Sequence, residues 1–177
     1  MQILVLTATA MTTALITGLF YAYSCSVNPG LHQLPDWAYL AAMQSINRAI
    51  LNPTFFLSFI GTLVLLPICT WMHYSQPISV RFWLLLLASV LYAIGVVGVT
   101  VAGNVPLNEG LDAVSLGKAS PDELKACRLA FEQPWNRLHA IRTITCVVTL
   151  LLVVATCLSR GETTESATVG PGRVRLP

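Results

Sequence analysis

The sequence predicts an all-α integral membrane protein, a four-helix bundle with short extramembrane helices in the loop between spans one and two and in the loop between spans three and four. Two observations carry this fold class. Of 177 residues, 55% are hydrophobic and only 10% charged, against the roughly 25% charged of a soluble domain. The apolar residues also fall into four segments, each near the ~20 residues that cross the hydrocarbon core of a bilayer. The same arithmetic excludes a disordered chain, because apolar content is high and the net charge is only +2. It excludes a nucleic-acid binder as well: ten Lys and Arg face eight Asp and Glu, and no basic run of five or more occurs.

The elements follow in order. The first span covers about 3–27. It has no basic n-region and is too long for a signal-peptide core, so it reads as a retained helix. Asn28-Pro29-Gly30 is expected to end it, since Pro and Gly break helices. Asp36 is placed to cap a short amphipathic helix from Trp37 to Leu51, with Leu40, Met43, Ile46 and Ile50 on one side. Asn52-Pro53 opens the second span, about 55–72. A short connection with Pro77 leads to the third, about 82–103, which Asn104-Val105-Pro106-Leu107-Asn108 is expected to break. Ser120-Pro121-Asp122-Glu123 is a capping-box start for a loop helix expected to stop before Pro134. The fourth span covers about 138–158. Residues 1–160 form one transmembrane domain, and the polar tail 161–177 is expected to be disordered. Small residues at four-residue spacing (Ala10, Ala14, Gly18, Ala22, Ser26), with Gly95 and Gly98, read as the close-packing faces of the bundle and as ridges able to pair two chains.

Four spans put both termini on one side of the membrane and the two long loops, 28–54 and 104–137, on the other. Arg81 in the short turn places the termini on the cytoplasmic side by the positive-inside rule. The five cysteines, Cys25, Cys69, Cys127, Cys146 and Cys157, form no C-x-x-C pair and read as apolar filler.

The scarce polar residues gather at the loop end. Trp135, His139, Arg142 and Cys146 follow i, i+4, i+7, i+11, one face of a helix, with Asn136 and Thr143 beside it. No acidic residue lies inside a span, so Arg142 must find carbonyls, amides, water, a loop acid or an anionic ligand. Tyr21, Tyr23, Ser24 and Asn28 end the first span, Asn104 and Asn108 the third, and Asn47 and Arg48 come from the first loop. A polar cluster over an apolar bundle suits an amphipathic aromatic ligand. A metal at His139, with His32 and Glu109 or Asp112, is the alternative use of this end; the three histidines are otherwise single, and no inward Glu set for a di-metal bundle exists.

Gly18-Leu19-Phe20-Tyr21-Ala22-Tyr23-Ser24, Val27-Asn28-Pro29-Gly30-Leu31, Met43 to Arg48, Asn104-Val105-Pro106-Leu107-Asn108 and Trp135 to Thr143 together resemble the anthrone oxygenase-like family of small four-span membrane proteins, over roughly 10–158. The resemblance implies oxidation of an anthrone-like or phenolic aromatic by molecular oxygen without an organic cofactor. For such chemistry His139 is the candidate base, and Arg142, Asn104 and Asn108 are candidates to stabilise the enolate oxygen. Tyr21, Tyr23, Ser24, Asn28, Asn47, Arg48, Trp135 and Asn136 are candidates to bind the rings. The partners implied are a small aromatic substrate and the lipid bilayer, with a second copy or a membrane partner protein permitted and nucleic acid not expected. The rival reading is a non-enzymatic accessory subunit or a quinone- or lipid-binding membrane protein.

Overall fold

The computed structural model describes residues 1–75 and 77–159; the tail expected to be disordered lies outside the described residues. Helix α1 (Gln2–Ala22) runs through a π-helical segment, Tyr23–Val27, into α2 (Asn28–His32). Then come α3 (Asp36–Ala49), α4 (Pro53–Met72) and α5 (Val80–Leu91). The last continues through π-helical segments Tyr92–Gly98 and Thr100–Asn104 into α6 (Val105–Asp112), and α7 (Pro121–Leu158) closes the fold. Among the described residues four continuous helices are long and apolar enough to cross a membrane: Gln2–His32, Pro53–Met72, Val80–Asp112 and Pro121–Leu158. Helix α1 packs on α4 and α7, and α5 packs on the same two, so each span sits beside its neighbours in sequence, as in an up-down-up-down bundle.

Three expected breaks do not occur, and proline is involved in each. Pro29 and Pro106 lack the N–H that an α-helix requires of them. In both places the preceding residues wind as a π-helix, which shifts the hydrogen-bond register by one residue and lets the helix pass the proline. The first span therefore does not end at Asn28-Pro29-Gly30, nor the third at Asn104. Pro134 lies inside α7 instead of stopping a separate loop helix. An interior proline costs about 3 kcal/mol. Its neighbours Phe131 and Trp135 are each 4% exposed, and burying an aromatic of that size returns about 1.5–3 kcal/mol apiece. Packing outweighs the local penalty.

Caps behave more as the sequence implies. Ser120 and Glu123 form the reciprocal capping box of α7. Asn52 accepts from Phe55 N–H at 3.0 Å and donates to Ala49 O at 2.8 Å, joining α3 to α4. Asp36, expected as a cap, is the first residue of α3 behind Pro35, which provides no side-chain cap; its carboxylate accepts from Arg128 instead, at 3.0 Å.

Two cores are stacked. Ile16, Phe20, Phe59, Leu66, Ala88, Tyr92, Val96, Cys146 and Val153 fill the bundle. Tyr39, Leu40, Met43, Leu111, Leu124, Phe131 and Trp135 fill a cap built from both long loops and the first turns of α7. Arg128 rivets the cap: it donates to Glu132 (2.7 Å), Leu34 O (2.7 Å) and His32 O (2.8 Å), and lies 4.4 Å from the Tyr39 ring centre. Burial pushes the Tyr39 phenol well above its ordinary range, so this ring stays neutral beneath the guanidinium. Gln44 donates to Leu111 O at 2.8 Å and Val114 O at 3.0 Å, binding α3 to α6.

The inward face of α1 differs from the expectation. Ala14, Gly18, Ala22 and Ser26 are exposed, and nothing lies within 4 Å of a Cβ built on Gly18. Thr9, Thr13, Ile16, Thr17 and Phe20 face the bundle. Threonine serves here because its hydroxyl can return to its own helix: Thr9 donates to Val5 O at 2.7 Å and Thr13 to Thr9 O at 2.6 Å, leaving a methyl to pack. Close approach is made by other glycines. A Cβ on Gly95 would lie 2.6 Å from Thr145, and one on Gly103 would lie 2.7 Å from Leu138, so both let the third span press on α7.

Candidate functional site

A cavity of about 470 Å³ opens where the two cores meet. Five parts of the chain build it. The first span contributes Leu19, Phe20 and Tyr23; α3 contributes Ile46, Asn47 and Arg48; α4 contributes Phe55; the third span contributes Thr100, Asn104, Asn108 and Glu109; and α7 contributes Trp135, His139 and Arg142. The continuous helix through Pro106 matters here, because Thr100, Asn104 and Asn108 fall at four-residue spacing and all reach the same cavity. The continuous helix through Pro134 does the same for Trp135, His139 and Arg142.

Arg142 is the centre of the arrangement. It is 7% exposed and lies 4.6 Å from the ring centre of Phe20 and 5.6 Å from that of Trp135. One terminal nitrogen donates to Thr100 Oγ1 at 3.2 Å and the other to His139 Nδ1 at 3.1 Å. No carboxylate pairs with it among the described residues, and its Nε has no partner. Aromatic faces attract a cation by about 0.5–2 kcal/mol each, well short of the desolvation of a full charge. The site therefore holds a cation whose charge is only partly answered.

His139 is fixed on both sides. A guanidinium can only donate, so Nδ1 accepts from Arg142 and Nε2 carries the proton. That proton is given to Phe20 O at 3.1 Å, with Ser24 Oγ at 3.1 Å and Thr143 Oγ1 at 3.3 Å nearby. Trp135 stacks on the imidazole, centroids 5.1 Å apart and planes 11° apart. The lone pair a general base would need is thus engaged by Arg142.

The asparagines are incompletely satisfied. Asn104 is buried; its Nδ2 donates to Trp135 O at 3.4 Å while Oδ1 has no partner. Asn47 Nδ2 is also buried without a partner. Asn108 Oδ1 accepts from Trp135 Nε1 at 2.8 Å and so holds the indole. The three partnerless buried side-chain atoms among the described residues, Asn47 Nδ2, Asn104 Oδ1 and Arg142 Nε, all belong to residues lining this one cavity. Native interiors leave few such groups, and here all three belong to the walls of one cavity.

Of the residues singled out from sequence, Tyr23, Asn47, Arg48, Asn104, Asn108, Trp135, His139 and Arg142 line the cavity. Ser24 stands behind His139 as a hydrogen-bond neighbour. Tyr21 is 60% exposed on the outer surface of α1, and Asn28 and Asn136 are outside the lining. Arg48 is ion-paired with Asp112 at 2.6 Å on the cavity wall. His32 pairs with Glu132 at 2.7 Å in the cap, apart from His139, and no group of three or more His, Cys, Asp or Glu gathers among the described residues. Sequence reasoning missed Thr100 and the Phe20 carbonyl as partners of Arg142 and His139. The spacing of Thr100 to Asn104 and Asn108 was the signal for the first; nothing in a sequence signals a carbonyl.

Comparison with curated proteins and with solved structures found no significant match. The family model for anthrone oxygenase matches residues 54–152, a stretch that carries Thr100, Asn104, Asn108, Glu109, Trp135, His139 and Arg142 and more than half of the 177 residues, and the chain belongs to that family.

Proposed function

We propose that this chain is a membrane oxidoreductase that oxidises an anthrone-like or phenolic aromatic with molecular oxygen, the electron-rich ring supplying the electrons itself. One observation carries the reading: a cavity walled by aromatic rings in which a buried arginine, with no acid beside it among the described residues, and two asparagines hold unpartnered polar atoms. The aromatic walls suit a planar ring system. The unpartnered donors Arg142 Nε and Asn47 Nδ2 suit an oxygen on that ring, and they suit it best when it is negative.

The chemistry follows from that preference. An anthrone has a carbonyl conjugated through two rings to a methylene. Loss of a methylene proton moves the electron pair toward the carbonyl oxygen, giving an anthrolate that Arg142 stabilises. The anion transfers electrons to oxygen, and a carbon–oxygen bond forms at the former methylene as a peroxide. Protonation gives a hydroperoxide; loss of the remaining hydrogen on that carbon with cleavage of the O–O bond gives the quinone carbonyl and water. One anthrone and one oxygen become one anthraquinone and one water. Trp135, held by Asn108, and Tyr23 would fix the ring plane, and the Arg48–Asp112 pair would close the loop side.

The experiment is oxygen uptake by the purified protein in detergent, with anthrone as substrate and quinone formation followed by absorbance. The expected result is enzyme-dependent uptake and quinone in equal amounts, lost by about 100-fold or more in Arg142→Met, the loss typical of removing a charge-stabilising donor. Wild-type protein that binds anthrone but adds nothing to its spontaneous oxidation would overturn the reading in favour of a binding protein.

A further inference from the structure

Resting on that reading, we propose that Glu109 takes the substrate proton and that His139 is a positioning residue for Arg142. A general base needs a free lone pair within reach of the substrate. The ionisable side chains lining the cavity are Tyr23, Arg48, Glu109, Asp112, His139 and Arg142. Tyr23 and the two arginines are donors near neutral pH. Asp112 is held by Arg48 Nη2 at 2.6 Å and Nε at 2.7 Å. His139 has its one lone pair on a guanidinium nitrogen 3.1 Å away and its one N–H on a carbonyl. Glu109 remains: its carboxylate has no hydrogen bond or ion pair among the described residues, and it is exposed on the cavity side of α6. Val105, Glu109 and Asp112 fall at i, i+4 and i+7 of that helix and all reach the cavity, so the carboxylate shares a face with the site.

Charge conservation favours the same assignment. Before proton transfer the cavity has the Arg142 guanidinium and the Glu109 carboxylate at its wall. When the methylene C–H bond breaks, the proton goes to a Glu109 oxygen and the electron pair to the substrate oxygen beside Arg142. One cation and one anion are present before and after, and the anion has moved from the wet wall to the buried guanidinium. Transfer to His139 would instead place a second cation 3.1 Å from Arg142, a like-charge pair in a medium that screens it poorly. Glu109, now protonated, returns its proton to the peroxide formed with oxygen, giving the hydroperoxide; the carboxylate then accepts the last C–H proton as the O–O bond breaks and passes it to the departing hydroxide, leaving quinone, water and the carboxylate restored. His139 keeps Arg142 turned toward the substrate oxygen by accepting from its other nitrogen, locked in its tautomer by Phe20 O and in its plane by Trp135.

The test separates proton removal from oxidation. Wild type and variants are incubated with anthrone in deuterated buffer without oxygen, and methylene exchange is followed by mass spectrometry; kcat and KM for oxygen uptake are measured in parallel. Glu109→Gln is expected to lower both exchange and kcat by about 100-fold or more with KM nearly unchanged. Glu109→Ala should regain exchange as acetate is added. His139→Asn, which keeps a side-chain acceptor for Arg142, should raise KM more than it lowers kcat. Exchange at the wild-type rate in Glu109→Gln overturns the Glu109 assignment and leaves the oxygenase reading intact. Wild-type protein that neither exchanges the methylene nor takes up oxygen overturns the oxygenase reading and this assignment with it. Glu109 is exposed, so its variants are not expected to disturb folding.

Discussion

Arg142 is kept at a cost to stability. A charged side chain at membrane depth is unfavourable by about 2.5–3.5 kcal/mol, and this one is answered by two hydrogen bonds and two ring faces but, among the described residues, no carboxylate. Replacing an incompletely paired buried charge with an apolar side chain of similar volume is often neutral or stabilising. Arg142→Met is therefore expected to unfold in detergent at an equal or higher temperature than wild type while losing the activity described above. A large drop in its midpoint would mean that Thr100 and His139 fully compensate the charge. The placement of this residue was legible in the sequence because a chain with so few charges makes one inside a span conspicuous, and the 3.6-residue period put it on one face with His139 and Trp135. The role of His139 was not legible. A residue type states that a side chain can be a base, whereas here Nδ1 is taken by Arg142 one turn on, itself held by Thr100 of the third span, and Nε2 by a carbonyl of α1 far away in the chain.

The helices owe their continuity to devices that local patterns do not reveal. Proline reads as a stop, and here four prolines are passed: Pro29 and Pro106 behind π-helical turns, Pro67 inside α4, and Pro134 inside α7 between the buried Phe131 and Trp135. The register shift that accommodates Pro106 keeps Thr100, Asn104 and Asn108 on the cavity, so the element that sequence reading broke is the one that builds the site. Glycine acts likewise through a distant partner. At Gly95 the side chain in the way is Thr145, β-branched and stiff at χ1, so Gly95→Ala is expected to destabilise the bundle by about 1–3 kcal/mol, the usual range for overpacking. Thr145→Ala in the same chain should recover most of that loss, because the clashing Cγ2 and Oγ1 atoms at 2.6 and 2.9 Å are gone. Thermal midpoints of the two single variants and the double variant give the coupling directly; additive effects would exclude the contact. In the cap, Arg128 is 11% exposed and binds two acids and two carbonyls. Arg128→Ala leaves Glu132, itself 13% exposed, without its main partner, and loss of one member of a largely buried pair costs about 3–5 kcal/mol. The expected outcome is faster proteolytic cleavage within 28–54 at a temperature where the bundle persists; cleavage at the wild-type rate would show the cap is held by its apolar core alone.

At the scale of the molecule, four spans and a two-loop cap were readable because hydropathy and length are summed over whole segments. The inward face of α1 was not, since in an apolar medium small residues and threonines compete for the same contacts and the outcome depends on which face meets Thr, Gly and Cys on its neighbours. The two stacked cores leave one charged opening between them, and the balance of charge around it decides what the fold accepts. On the proposed reading an anionic ligand answers the buried cation, which links ligand charge to fold stability. A ligand that binds the folded state alone stabilises it by about 2.7 kcal/mol at a hundred times its dissociation constant, and in a chain of this size each kcal/mol moves the midpoint by about 2–4 °C. Anthracene-9-carboxylate, a planar anion that oxygen does not oxidise under these conditions, is expected to raise the midpoint by several degrees, and 9-(aminomethyl)anthracene, the same rings with a cation, is expected to leave it unchanged. In Arg142→Met the starting midpoint should be equal or higher and the response to the anion should vanish, because the charge that the anion answered is gone. Equal stabilisation by the anion and the cation would show that the rings alone carry recognition, and the link between the unanswered arginine and the ligand would be lost.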